Sequence, residues 1–188
     1  MVFVSARNVV PIIAPLAASI LPIGSTALCL LPSDAQTLST NFGKLISNYS
    51  NKLANETLTP NFIDHSESVN TLIDSGGSAP QALLGNTFSS RAQFEAASAA
   101  QPAEPFTVKN MWYNCDTITV RWESDQTPEP VVGISVLHTK FTAQLQNPSL
   151  FQIDEVWAEF DSGAWLVNLG IFKPASTKKE KREVVFEA

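Results

Sequence analysis

From Leu38 onward, apolar positions recur with a helical period. Leu38, Phe42, Leu45, Ile46, Tyr49 and Leu53 follow at spacings of four, three, one, three and four, which puts them on one face. The spacing predicts a helix from about Asp34 to Ala54. At its start Ser33-Asp34-Ala35-Gln36 has the form of a capping box, Ser33 accepting from first-turn amides and Gln36 reaching back. Thr59-Pro60 then predicts a short turn with Phe62 and Ile63 buried. The stretch from Asp64 to Leu84 has no clean period, and Gly76-Gly77 and Pro80 mark a loop in its middle. Ser90-Arg91-Ala92-Gln93 is a second capping box, opening a helix to about Ala100 that turns Phe94 and its alanines inward. Gln101-Pro102-Ala103-Glu104-Pro105 closes it.

Beyond Pro105 the pattern changes to alternation. Residues 106–115, 117–123, 131–139, 151–160 and 164–172 are rich in Thr, Val, Ile, Trp and Tyr and read as five strands separated by short turns. Helices followed by a run of antiparallel strands predict an α+β fold. N-terminal helices would pack in a strongly curved antiparallel sheet, a cone whose mouth is an apolar pocket wherever the helices leave it unfilled. Alternation assigns a lining: Ile118, Val120 and Trp122; Val132, Ile134, Val136 and His138; and Trp165, Val167, Leu169 and Ile171. Most of these are ordinary core. Those near strand ends, Trp112, Trp122, His138 and Trp165, are the candidates for touching a ligand.

The first thirty residues differ in kind. Arg7 is their only charge, Val9 to Ile23 is nearly all apolar or small, and Ser25-Thr26-Ala27 supplies a small-residue exit. This reads as a secretory signal peptide over 1–27. The apolar run is short and broken by Pro11, Pro15 and Pro22, which counts against an uncleaved spanning anchor. An ordered N-terminal arm is the remaining alternative. Export would place both cysteines, Cys29 and Cys115, in an oxidising compartment that invites a disulfide. Two buried free thiols are the other reading. Asn48-Tyr49-Ser50 and Asn55-Glu56-Thr57 match the N-glycosylation acceptor pattern, whereas Asn147-Pro148-Ser149 is blocked by its proline. Residues 176–188 form a charge-mixed tail, which leaves one domain over about 29–175.

Of the 188 residues, 44% are hydrophobic and only 16% charged. That is enough apolar material for one core and too little charge for a disordered chain. The formal net charge of −6 argues against a nucleic-acid partner. After leader removal no membrane segment is expected. Two histidines without ligand spacing give no metal site, no G-x-S-x-G marks a nucleophile, and no cofactor is implied.

Two stretches resemble a group of small secreted fungal proteins with the nuclear transport factor 2-like cone fold. One runs Phe62-Ile63-Asp64-His65-Ser66-Glu67-Ser68-Val69-Asn70-Thr71-Leu72. The other runs Trp112-Tyr113-Asn114-Cys115-Asp116-Thr117-Ile118-Thr119-Val120-Arg121-Trp122. Thr87-Phe88, Glu159-Phe160 and Ala164-Trp165 add to the likeness, which covers most of 29–172. A cysteine just after the cleavage point fits the same group and supports pairing of Cys29 with Cys115. The wider superfamily includes ketosteroid isomerase, scytalone dehydratase, SnoaL-like polyketide cyclases and limonene epoxide hydrolase, along with members that only bind. The resemblance therefore implies a fold and a pocket more firmly than a reaction.

Acid–base chemistry in such a cone needs a carboxylate or imidazole whose pKa is shifted by burial. Asp64, Tyr113, His138 and Glu159 are the catalytic candidates. Asp64 has an equal claim to local capping of a turn with Ser66 and Ser68. The expected function is binding of an apolar small molecule, with aromatic side chains supplying area and orientation. The alternatives are a cofactor-free dehydratase, isomerase or cyclase acting on a lipophilic metabolite, and a protein-interaction module. A homodimer through the outer sheet face would use residues such as Met111, Tyr113 and Leu137.

Overall fold

The computed structural model describes residues 28–77 and 80–175. The expected leader, and the charged tail from residue 176, lie outside them. Helix α1 spans Pro32–Ser47 and α2 spans Asn51–Thr57, so the single helix expected over 34–54 is two. Asn48 leaves helical dihedrals (φ −157°), and Ser50 caps α2 by accepting from Leu53 N at 3.2 Å. Short polar side chains offer the backbone partners outside a helix, and here Ser50 starts a new one. At the front, Ser33 is not the cap. Pro32 takes the first helical position, where a missing N–H costs nothing. Asp34 Oδ2 accepts from Leu31 N at 3.1 Å, and its Oδ1 accepts from Ser149 Oγ at 2.8 Å.

Strand β1 spans Leu58–His65, where a turn was expected at Thr59-Pro60. Helices α3, Glu67–Ser75, and α4, Arg91–Ser98, follow it. Of the second capping box, Ser90 caps α4 as read, its Oγ accepting from Gln93 N at 3.2 Å, but the Gln93 side chain returns one residue further back, Oε1 accepting from Ser89 N at 2.8 Å. Then come β2, Thr107–Tyr113; β3, Thr117–Ser124; β4, Val131–Phe141; and β5, Phe151–Phe160. The five strands form one curved, unclosed sheet in the order β1-β5-β4-β3-β2. Neighbours are antiparallel except β1, which runs parallel to β5. Pro60 is tolerated because β1 is an edge strand whose register shifts between Leu58 and Ile63.

The fifth expected strand, 164–172, is instead helix α5, Ser162–Asn168. Asp161 caps it, its side chain accepting from Ala164 N at 2.9 Å. Gly170 ends it at φ +70°, with Ile171 N donating to Leu166 O at 3.0 Å and Gly170 N to Val167 O at 2.9 Å. This is the paired hydrogen-bond pattern that a left-handed glycine completes at a helix end. Trp165 therefore packs from a helix, tilted against Phe160 at 5.1 Å, and Val167, Leu169 and Ile171 do not line a strand.

The core lies between the sheet and the helices. Ile118, Val120 and Trp122 face it from β3, all nearly inaccessible to solvent, as alternation implied. On β4 the buried positions are Val131, Gly133, Ser135, Leu137 and Thr139. Val132, Ile134, Val136 and His138, expected inside, point outward. Size explains the inversion. The Trp122 indole stacks on Phe106 at 4.8 Å, donates from Nε1 to Ser135 Oγ at 3.0 Å, and fills the space over Gly133. Small residues are therefore needed opposite it, and they disguise the buried face of β4. Of the expected contact set, Leu137 is fully buried and Met111 packs against the core, while Tyr113 stands exposed.

Candidate functional site

Cross-strand partners share a face of a sheet. The uncovered face therefore carries one in-register row, Trp112, Thr119, Val136, Trp157 and His65, with one residue from each strand. A recess lies at each end of this row, and neither is in the cone interior. The larger, about 290 Å³, is lined by His65, Ser66, Glu67, Leu84, Gly85, Trp157 and Glu159. The smaller, about 210 Å³, is lined by Trp112, Tyr113, Asn114, Thr117 and Thr119.

The larger recess is built where β1 passes into α3. Ser66 caps α3, its hydroxyl accepting from Val69 N at 3.0 Å. Glu159, reaching across from β5, accepts from Glu67 N and Ser68 N, each at 3.0 Å, and from the Ser68 hydroxyl. A carboxylate at a helix N-terminus satisfies orphan amides and complements the helix dipole. One wall is aromatic: the His65 ring stacks on Trp157, centroids 5.6 Å apart and planes nearly parallel, while His65 Nε2 meets Glu155 Oε1 at 2.9 Å. The opposite wall is the segment bearing Leu84, which stands 84% exposed at φ +58°. Leu84 N donates to Glu67 Oε1 at 2.6 Å.

Asp64 lies just behind this recess, on the covered face opposite Val156. It is buried, and its Oδ1 has no hydrogen-bond partner among the described residues. Its backbone N–H donates to Phe88 O at 2.9 Å and its carbonyl accepts from Thr87 N at 2.8 Å. Burial pushes its carboxyl up to about 7; the neighbouring His65 opposes the rise and Glu159 adds to it. Asp64 does not cap the turn before α3, because Ser66 does.

The four catalytic candidates do not converge. Asp64 and Glu159 are electrostatic neighbours, but Glu159 is engaged in holding α3. Tyr113 borders the smaller recess at the other end of the row. His138 is on the uncovered face, opposite Thr117, with its Nδ1 2.6 Å from Asp154 Oδ1. The four ligand-binding candidates also separate. Trp112 lines the smaller recess, Trp122 is core, Trp165 packs on Phe160, and His138 borders neither recess. Sequence reasoning missed His65, Trp157, Glu155 and Leu84. The signal was partly present: in 151–160 the alternation sets Glu155, Trp157 and Glu159 on one face, which places an aromatic ring between two acids.

Cys29 and Cys115 are joined in a disulfide, and Leu30 N donates to Cys115 O at 2.9 Å. Asn48 and Asn55 are both exposed; Asn55 Nδ2 donates to Asn51 O at 2.7 Å within α2. Among the described residues no group of three His, Cys, Asp or Glu side chains is arranged to hold a metal ion. Nor is any helix among them long and apolar enough to cross a membrane.

These features sit on a scaffold of known kind. The chain matches the NTF2-like domain family over residues 28–172 and belongs to it. Among solved structures, a loop-truncated variant of IdmH, a proposed polyketide cyclase from Streptomyces antibioticus, is similar at a TM-score of 0.52 and 13% identity. The match covers 72% of this chain and 99% of that one. A proposed polyketide cyclase from Bacillus cereus is similar at a TM-score of 0.51 and 16% identity, covering 74% of this chain and 82% of that one. At such identities the likeness is one of fold. No curated protein sequence matches the chain.

Proposed function

We propose that this chain is an exported NTF2-like domain that binds a small, largely apolar molecule without transforming it. The molecule sits in the recess between Trp157, Leu84 and Gly85 rather than inside the cone. One observation carries this reading: the exposed Trp157 ring, fixed by its stack on His65, faces an exposed leucine across a gap of about 290 Å³. A fixed aromatic wall and an aliphatic wall supply area and orientation, and the polar rim supplies a few directional contacts. The cone interior is filled by Trp122, Phe106, Phe42 and their neighbours, which leaves the outer recess as the place for a guest. The Cys29–Cys115 bridge supports export, where such bonds persist.

Titration of the intact protein with a fluorescent apolar dye, alongside native mass spectrometry of exported material, tests the reading. Trp157→Ala abolishes dye binding while leaving the fold intact. Unchanged binding in that variant overturns the assignment of the recess. Amino-terminal sequencing of exported material, expected to start near Leu28, tests the leader.

A second reading, cofactor-free acid–base catalysis, is favoured by one specific observation: Asp64 is buried with an unpartnered oxygen and a carboxyl raised to about 7. Such a group can take or give a proton near neutral pH. Asp64 lines neither recess, however, and a substrate would need the segment around Thr87 and Phe88 to move. Self-association, if present, uses Val132 and Ile134, which stand 46% and 52% exposed on the uncovered face. Sedimentation of Ile134→Glu against the parent chain measures it.

A further inference from the structure

We propose that the smaller recess, at the tip of the β2–β3 hairpin, is a second binding site, and that it takes a neutral pyranose sugar. It is lined by Trp112, Tyr113, Asn114, Thr117 and Thr119, two aromatic rings and three short polar side chains with no charge among them. Trp112 and Tyr113 stand 56% and 43% exposed. As neighbours on a strand they point to opposite faces, yet both reach the recess because β2 is the free edge of the sheet. Thr119 is the cross-strand partner of Trp112, so a hydroxyl sits beside the exposed indole.

The tip is held rigid. Asn114 Oδ1 accepts from Asp116 N at 3.0 Å and Thr117 N at 2.9 Å, and Asn114 N donates to Thr117 O at 2.9 Å. The next residue, Cys115, is bonded to Cys29. Thr139 N donates to Asp116 O at 2.7 Å, which ties the turn to β4. Asp116, the nearest acid on the turn, accepts from Thr117 Oγ1 at 2.8 Å. Thr119 Oγ1, Asn114 Nδ2 and Tyr113 Oη have no hydrogen-bond partner among the described residues and remain available to a ligand.

The chemistry of the lining selects the guest. A pyranose offers a face of C–H bonds to an indole and a rim of hydroxyls to Thr119, Asn114 and Tyr113. A charged ligand would find no counter-charge among the lining residues. A purely apolar one would strip water from three polar groups and give nothing back. Because the site is preformed, little ordering is needed on binding.

The experiment follows the indole N–H resonances of the four tryptophans in ¹H–¹⁵N spectra of the intact, oxidised chain. The probes are methyl β-glucopyranoside and N-acetylglucosamine at millimolar concentration, with cyclohexanol as the apolar control. One indole signal shifts saturably with a sugar and not with cyclohexanol, and that signal is missing in Trp112→Ala. Loss of the ring weakens binding about tenfold or more, whereas Trp112→Phe retains part of it. Thr119→Val weakens it several-fold, and Trp157→Ala leaves it unchanged, which separates this site from the dye-binding recess. No shift with either sugar, or an equal shift with cyclohexanol, overturns the proposal. A Trp112 shift that follows protein concentration instead of sugar also overturns it, because the tip is then a contact between copies of the chain.

Discussion

Gly133 lies directly across the β3–β4 ladder from Trp122, and the indole occupies the space that a Cβ on Gly133 would need. Phe160, its partner on β5, crowds the same position from the other side. Gly133→Ala therefore forces the largest ring of the core to move, at a cost of about 1–3 kcal/mol. The denaturation midpoint falls while the slope with denaturant is unchanged. Adding Trp122→Phe recovers part of the loss, since the two residues share one space.

That pairing also explains which parts of the fold were legible. The helical face from Leu38 to Ile46, the N-cap at Ser90 and the alternation of β3 and β5 follow from local rules and appear as read, whereas the face to Leu53 is broken between two helices. The buried face of β4 was hidden because three of its five core positions are Gly133, Ser135 and Thr139, the first two lying under a tryptophan on the neighbouring strand. β1 was hidden behind Pro60, which reads as a turn unless the strand is known to be an edge. Helix α5 was hidden because Trp165, Val167, Leu169 and Ile171 alternate like a strand; Asp161 and Gly170, its cap and its stop, were the better guides. The larger recess depends on three separate segments around His65, Leu84 and Trp157, and no local pattern joins them.

Asp64 makes stability depend on pH in a definite direction. Its carboxyl is raised from the ordinary value of 3.8 to about 7 in the folded chain, chiefly by burial. The folded state therefore keeps a proton that the unfolded state has released. This contribution is full below the unfolded value and is lost as pH rises through about 7. It amounts to at most about 4 kcal/mol. In Asp64→Asn this loss of stability with rising pH disappears, so the variant is the more stable chain at alkaline pH. Chemical denaturation at several pH values checks it, and parallel pH profiles for the two chains would refute it.

Glu159 and Ser68 form a cap that joins β5 to α3. Ser68→Ala removes one partner of the carboxylate, and it also removes the acceptor of Phe160 N, which donates to Ser68 Oγ at 2.9 Å. The loss is about 1–2 kcal/mol, in the range of other helix caps. Glu159→Gln costs about as much, because Oε1 accepts from Glu67 N and Oε2 from Ser68 N, and an amide keeps only one of these two acceptors. A double-mutant cycle separates the Ser68–Glu159 interaction from the rest.

Reduction of Cys29–Cys115 releases a loop with a sequence separation of 86 residues. Loop-closure entropy sets the expected loss at about 4–5 kcal/mol. Thermal unfolding with and without reductant, compared with Cys115→Ser under oxidising conditions, measures it. Equal stability of all three would show that the unfolded chain gains no freedom from the cut.

The parallel pairing of β1 with β5 bears on how the chain is assembled. Leu58 O accepts from Gln152 Nε2, a contact between residues 94 positions apart, and among the described residues β5 is the one strand beside β1. On the ribosome β1 emerges long before β5, its strand neighbour, and that pairing waits until the rest of the sheet has been synthesised. The wall of the larger recess, which needs His65 stacked on Trp157, cannot be completed before Trp157 has been synthesised.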